Sequence, residues 1–134
     1  MYGDEHVVQR HFLRVVPYKH HGIELPDGTM CENSPPGVRI VTYADFARDR
    51  PTVVVNPDAT EAERAQAVQR ALSRVGEHRY SLTGNNCEHF TTWCATGVAI
   101  SRQVIACIQV FAQLVRTAFT VACAYVVLRA ALAD

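Results

Sequence analysis

Apolar residues occur in short, separated runs over the first part of the chain. The runs His6–Gln9 and Phe12–Val16 predict two strands, and we expect the second to end at Pro17. Residues 21–25 and 29–32 flank a Pro-Asp-Gly turn, a pattern typical of a β-hairpin. The N-terminal pattern therefore predicts antiparallel sheet.

The middle of the chain mixes strand and helix patterns. Val38–Val41 and the β-branched run Thr52–Asn56 predict further strands, the second of them buried, with one or two helical turns at 42–49 between them. Thr60 and Glu63 have capping-box spacing, which predicts a helix that ends near Gly76. Its predicted apolar face contains Ala65, Val68, Leu72 and Val75.

Two later segments are also helical in pattern. A helix is expected to begin near Cys87, because apolar residues follow at a spacing near 3.6. From Val104 to Ala133 the only formal charges are Arg116 and Arg129. We therefore expect a domain at 1–103 and, at 104–134, a C-terminal hydrophobic helix.

The hydrophobic tail has three possible environments. Its longest uncharged stretch is shorter than the ~20 residues of a confident membrane span, and its first part is amphipathic. It would nevertheless expose more contiguous apolar area than a soluble monomer tolerates. Membrane association through 104–133 is the first expectation, a true membrane span is the second, and packing on the domain or in a homo-oligomer is the third.

Composition restricts the class of protein. With 13 basic and 13 acidic residues the formal charge is zero, which argues against a nucleic-acid partner. The five cysteines form an odd set without a Cys-x-x-Cys pair, which favours a reduced chain. The first residues are polar and show no signal-peptide pattern. These features predict a cytoplasmic, membrane-associated protein.

Cys87 is the candidate nucleophile. A thiol at a helix N-terminus meets free N–H groups and the positive end of the helix dipole, so we expect a lowered pKa. Either His20 or His21 can supply the base, since neighbouring strand residues point to opposite faces. Glu32, on the partner strand of the hairpin, can orient the imidazole. The Cys87 N–H is a candidate oxyanion donor.

Other interpretations of these residues are open. A single cysteine is more often an inert core residue, as we expect for Cys94, and His89 is too near Cys87 to act as its base. A zinc site is conceivable, but the adjacent histidines would point apart. No metal or other cofactor is expected. The conceivable zinc ligands are His20, His21, Cys31 and Cys87.

Two motifs resemble those of a known family. The segment Asn86-Cys87-Glu88-His89-Phe90 resembles the NCEHF signature of the lecithin retinol acyltransferase family, which includes phospholipase/acyltransferases, bacterial relatives and picornaviral H-box/NC 2A proteins. Residues 20–28, of sequence HHGIELPDG, resemble the family's H-box. The resemblance covers roughly residues 4–104.

The resemblance implies a fold and roles. It implies an α+β fold: a circularly permuted NlpC/P60 (papain-like) domain, with an antiparallel sheet and packed helices, followed by a hydrophobic anchor. His20 takes the general-base position and His21 an aromatic one, so His20 should face Cys87. Glu32 stands where better-known members have a second histidine, and Glu24 and Pro26 replace a tyrosine and a glycine.

The implied function is thiol acyl transfer. Such an enzyme would act as an acyltransferase or phospholipase on acyl esters of glycerophospholipids, or on another acyl ester, through a thioester on the cysteine. The first alternative is a non-enzymatic protein of the viral H-box/NC 2A type, acting through host protein partners. The second is an NlpC/P60-type amidase or peptidase.

Overall fold

The computed structural model describes residues 1–12 and 15–132 of the chain. These fall into two units, Met1–Ser101 and the residues from Arg102 onward. Part of the predicted strand Phe12–Val16, and the last residue of the predicted tail Val104–Ala133, lie outside the described residues.

The first unit contains an antiparallel sheet. Its five strands within the described residues are ordered β4-β3-β2-β1-β5. The β2–β3 hairpin at Asp27-Gly28 and the strand after residue 37 confirm the sequence pattern. The strands are β1 (Glu5–Phe12), β2 (Val16–Glu24), β3 (Met30–Ser34), β4 (Gly37–Val41) and β5 (Thr52–Val54).

Two strand predictions were wrong in detail. Phe12 ends β1 and Val16 begins β2, so the ends of the predicted strand Phe12–Val16 belong to two different strands, and β2 continues through Pro17. Strand β2 pairs with β3 only from Gly22 to Glu24. Its outer edge is therefore open at Pro17, where a missing N–H costs no ladder hydrogen bond. Strand β5 is an edge strand, so Val53 is 67% exposed and not buried.

Three helices of the first unit connect or cover the sheet: α1 (Tyr43–Ala47), α2 (Glu61–Ser73) and α3 (Cys87–Thr96). The predicted capping box of α2 is present: Thr60 accepts from the Glu63 N–H, and Glu63 accepts from the Thr60 N–H at 2.8 Å. The predicted apolar face of α2 was only partly right. The helix packs through Val68 and two small residues that permit close approach, Ala67 and Ala71, while Leu72 and Val75 are exposed.

The two faces of the sheet carry different cores. One face packs on α2 and α3, where Ile23 and Cys31 meet Phe90. The other face packs on α1, where Phe46 covers Val8 and Met30. Gly22 allows this second contact, because a Cβ there would lie 2.7 Å from the Phe46 ring.

The second unit is the helix α4 (Arg102–Ala131), which has 30 residues. None of them is buried, and the helix is long and apolar enough to cross a membrane by length and composition. The expected C-terminal apolar helix is therefore present.

Candidate active site

Asn86 defines the start of α3. Its Oδ1 accepts the N–H groups of Glu88 and His89, each at 3.0 Å, and the His89 ring in turn accepts the Asn86 N–H through Nδ1. Cys87 is consequently the first helical residue, as the sequence predicted. His89 serves the cap, which is the structural role expected for it.

Asn33 attaches this turn to the sheet. Its Nδ2 donates to the Asn85 carbonyl oxygen at 2.9 Å and to Asn85 Oδ1 at 3.3 Å, and the side chain is 1% exposed. Sequence reasoning missed Asn33. An asparagine next to Glu32 in a strand is a signal for buried polar contacts, but its partner more than 50 residues away is visible only in the fold.

The Cys87 thiol lies at an edge of β2. Sγ donates to the Lys19 carbonyl oxygen at 3.8 Å, and the His21 backbone N–H donates to the sulfur. Strand β3 pairs with β2 only from Gly22 onward. The Cys87 thiol therefore makes its contacts with the β2 backbone just before the stretch that pairs with β3. Cys87 thus borders His20, the residue between the two backbone groups that it contacts.

The expected low pKa of the Cys87 thiol was wrong. Burial raises the pKa of Cys87 to about 11, although the backbone N–H groups of His21, Glu88 and Cys87 itself act to lower it. The side chain is 5% exposed, so loss of hydration outweighs the helix terminus. Cys87 is therefore a thiol at neutral pH, and a nucleophilic role for it would require a base.

His20 and Glu32 form a buried pair. His20 Nε2 lies 2.6 Å from Glu32 Oε2, and the two residues are 2% and 1% exposed. The His20 ring is 5.4 Å from the Phe46 ring, on the α1 face of the sheet. The predicted hydrogen bond between His20 and Glu32 is therefore present.

Two arginines keep Glu32 ionised. Arg39 donates to Glu32 Oε1 through Nε at 3.0 Å and Nη2 at 2.8 Å, and Arg10 Nη2 lies 3.7 Å from Oε2. Burial acts to raise the pKa of Glu32, but the hydrogen bond with His20 and these two charges lower it to about 2. Arg39 lies close to Glu32 because the two residues are directly opposite each other in the β3–β4 pairing.

The protonation of His20 follows from its surroundings. Burial lowers the pKa of His20 below its usual 6.5, and the hydrogen bond to Glu32 offsets this only in part. A neutral ring beside a carboxylate donates from Nε2, which leaves Nδ1 as the acceptor. Glu32 thus holds the neutral His20 ring in one tautomer.

His21 belongs to a second pair. Its Nδ1 lies 2.6 Å from Glu5 Oε1, which also accepts from Thr91 Oγ1 of α3 at 2.8 Å. The two neighbouring histidines point to opposite faces of the sheet, as predicted. His21, and not His20, lies on the face that α3 covers. The Cys87 sulfur contacts the β2 backbone on both sides of His20, at Lys19 and at His21. The roles of Cys87 as nucleophile and of His20 as base stay predictions.

The other cysteines differ in environment. Burial raises the pKa of Cys31 to about 12 and that of Cys94 further, and both side chains are fully buried. Cys94 is therefore buried, as expected. Cys107 and Cys123 are exposed. Among the described residues, no group of three side chains is placed to hold a metal ion.

Sequence comparison places this site in context. The family model described as lecithin retinol acyltransferase matches residues 30–100, more than half of the chain. Mouse lecithin retinol acyltransferase is 35% identical over 80 residues, which are 57% of this chain and 34% of the relative. The bovine protein is 39% identical over 70 residues, 49% of this chain and 30% of the relative.

These matches cover only part of this chain and part of each relative. The aligned part spans about a third of the length of these curated relatives. The family model includes Glu32 and Cys87 but begins after His20. His20 therefore lies outside the matched range, and only the geometry of β2 relates it to Cys87.

Proposed function

Because the chain belongs to the lecithin retinol acyltransferase family, a family of acyltransferases, we propose that it is a cysteine acyltransferase or phospholipase. Its substrate would be an acyl ester of a glycerophospholipid, and the acyl group would pass through a thioester on Cys87. The observation that carries this proposal is the contact of the Cys87 thiol with the β2 backbone on both sides of His20, whose side chain is hydrogen-bonded to Glu32.

Proton transfer and attack are coupled in this mechanism. A thiol with a pKa of about 11 gives up its proton to a buried imidazole only as sulfur attacks the ester carbonyl. His20 Nδ1 accepts that proton, and ionised Glu32 stabilises the imidazolium. The tetrahedral intermediate then collapses: the C–S bond remains, the C–O bond breaks, and the imidazolium protonates the leaving lysolipid alkoxide.

The start of α3 stabilises the developing oxyanion. The cap on Asn86 already uses the N–H groups of Glu88 and His89. The Cys87 N–H is the first-turn donor that remains beside the sulfur, so we assign it to the oxyanion. Water, an alcohol or an amine then attacks the thioester carbonyl, with His20 accepting its proton. The C–S bond breaks, the acyl group leaves with the acceptor, and the imidazolium returns the proton to the Cys87 thiolate.

The order of these groups supports a permuted NlpC/P60 (papain-like) arrangement. The strand with the base precedes the helix with the nucleophile, and the helix packs on an antiparallel sheet. We propose that arrangement as the origin of the fold.

A mass measurement tests the thioester. The exposed Cys107 and Cys123 are first replaced by serine, and the protein is mixed with a short-chain phosphatidylcholine. One acyl group is expected on the peptide that contains Cys87. The Cys87→Ser form is the matched control and should carry no hydroxylamine-labile adduct. A parent protein without any acyl-Cys87, at early times and low temperature, would contradict the mechanism and favour a non-enzymatic binding role.

We also propose that α4 holds the enzyme at a cytoplasmic membrane face. The support is the length and exposure of its apolar surface. Deleting residues 104–134 should abolish cofractionation with liposomes and lower turnover of bilayer lipid, while Cys87 still reacts with dispersed short-chain esters. A truncated protein that binds liposomes as well as the full chain would show that the tail is no anchor, and concentration-dependent self-association of the full chain would point to a homo-oligomer.

A further inference from the structure

A basic pocket lies over the β1–β2 ladder, outside the catalytic groups described above. It has a volume of about 440 Å³. None of the described residues that line it is a carboxylate. The basic pocket is lined by Arg10, His11, Tyr18, Arg48 and Arg50.

Two of the lining arginines, Arg48 and Arg50, are exposed, and Arg48 also lines a second cavity that contains Asp45 and Asp49. Within the part of the chain that the structure describes, neither Arg48 nor Arg50 forms an ion pair with a carboxylate. Arg50 donates to the Gln9 carbonyl oxygen at 2.9 Å and lies 3.1 Å from His11 Nδ1. The pocket therefore concentrates positive charge in a chain whose formal net charge is zero.

Arg10 is the buried end of the pocket. Its side chain is 7% exposed, its Nη2 donates to the Phe46 carbonyl oxygen at 2.7 Å, and its Nε has no hydrogen-bond partner among the described residues. A buried cationic N–H without an acceptor is costly. Arg48 adds to this cost, because burial and the charge of Arg48 both lower the pKa of Arg10. An anion in the pocket would relieve both effects.

Register places this pocket beside the candidate active site. Arg10 pairs with Tyr18, and the next pair on the same face is Val8 with His20. Two residues along a strand span about 7 Å. Arg10 is also within 3.7 Å of Glu32, so one side chain joins the pocket to the His20 pair.

We propose that the basic pocket binds the phosphate group of the acyl donor and so positions its ester bond beside His20 and Cys87. Arginine forks match phosphate oxygens in bidentate geometry, and a phosphodiester is the anionic group of a glycerophospholipid. This inference rests on the proposed function and adds the group by which the enzyme selects its substrate.

Binding is measured first, with the full chain in non-ionic detergent micelles. Inorganic phosphate and glycerophosphocholine are titrated at constant ionic strength, and the His11 ring resonance reports occupancy. The double variant Arg48→Gln/Arg50→Gln should raise both dissociation constants by about tenfold or more, the effect of losing charge-assisted hydrogen bonds. Arg79→Gln, an exposed arginine outside the pocket, is the matched control and should bind as the parent does.

Turnover separates the two sources of phosphate. Glycerophosphocholine should compete with short-chain phosphatidylcholine for acylation of Cys87. The ratio of kcat/KM for phosphatidylcholine to kcat/KM for an uncharged short-chain ester should fall in the double variant, mainly through KM. Binding of inorganic phosphate without competition by glycerophosphocholine would overturn the lipid assignment.

The remaining outcomes are distinct. An equal loss on charged and uncharged esters in the double variant would overturn the pocket's role in selection. Parent protein that binds neither anion saturably would overturn the pocket itself, whatever its activity. Saturable binding without acylation of Cys87 by either ester would leave the phosphate site standing and refute the proposed function.

Discussion

The two adjacent histidines of β2 each pair with a glutamate, but on opposite faces of the sheet. His20 pairs with Glu32 under α1, and His21 pairs with Glu5 under α3, both at 2.6 Å. The geometry of the two pairs is nearly the same, so distance alone does not distinguish a base from a structural contact. The residues around each pair do distinguish the two.

The carboxylates differ in what else they bind. Glu32 contacts two arginines as well as His20, and the hydrogen bond with His20 together with these charges keeps its pKa low despite burial. Glu5 accepts from Thr91, so it joins the sheet to α3. From this difference we predict a catalytic role for the His20–Glu32 pair and a structural role for the His21–Glu5 pair.

Replacing the two histidines separately gives the strongest contrast. His20→Ala should slow acylation of Cys87 by about 10²–10⁴-fold, the range for loss of a general base. His21→Ala should slow acylation much less. The measurement is the single-turnover rate of thioester formation with short-chain phosphatidylcholine. A larger loss for His21→Ala would reverse the assignment and make the α3 face catalytic.

Acid stability should also distinguish the His20–Glu32 pair. The folded pKa of Glu32 lies at about 2, below its usual 4.5, so its stabilisation is complete above pH 4.5 and is lost as the pH falls toward 2. That loss is roughly 3 kcal/mol. The pKa of His20 is lowered too, which adds a loss of stability below pH 6.5.

The test is denaturant unfolding between pH 7 and pH 3, followed by the fluorescence of Trp93, the single tryptophan of the chain. Trp93 lies on α3 within the first unit and therefore reports the sheet domain. Glu32→Gln removes the titrating group, so its unfolding free energy should fall less between pH 4.5 and pH 3. A parallel fall in both proteins would show that other groups cause the acid loss.

Local sequence rules predicted most of the elements and the central hydrogen bond. The hairpin at Asp27-Gly28, the cap at Thr60 and the helix start at Cys87 depend on neighbouring residues, and each was confirmed. The contact between His20 and Glu32 was also predictable, because the turn fixes the register of the hairpin.

The predictions that were wrong or missing concern properties that depend on burial in the folded protein. The pKa of Cys87 was predicted from its helix terminus, but dehydration against β2 reverses the sign. The packing face of His21 depends on which side of the sheet α3 covers. The partner of Asn33 is brought close only by folding. Alternation along one strand cannot supply such information.

Loss of the Glu32 charge should have a moderate effect on rate. Glu32→Gln should slow acylation by about ten- to a hundredfold, the range found when a carboxylate that orients a metal-bound imidazole is removed. The reason is that a glutamine amide can present N–H as well as oxygen to His20, so the tautomer is no longer fixed. Full activity in single-turnover assays would indicate a dyad of Cys87 and His20 without a third member.

The matching change in the second pair should alter stability and not chemistry. In Glu5→Gln one neutral oxygen must replace a carboxylate that accepts from both His21 and Thr91. Weakening these buried hydrogen bonds should lower the unfolding free energy by about 1.5 kcal/mol. Denaturant titration by Trp93 fluorescence measures this loss, and the acylation rate of the folded fraction should equal that of the parent. A fall in that rate comparable to the effect of Glu32→Gln would mean that both faces of β2 take part in catalysis, and the distinction between the pairs would fail.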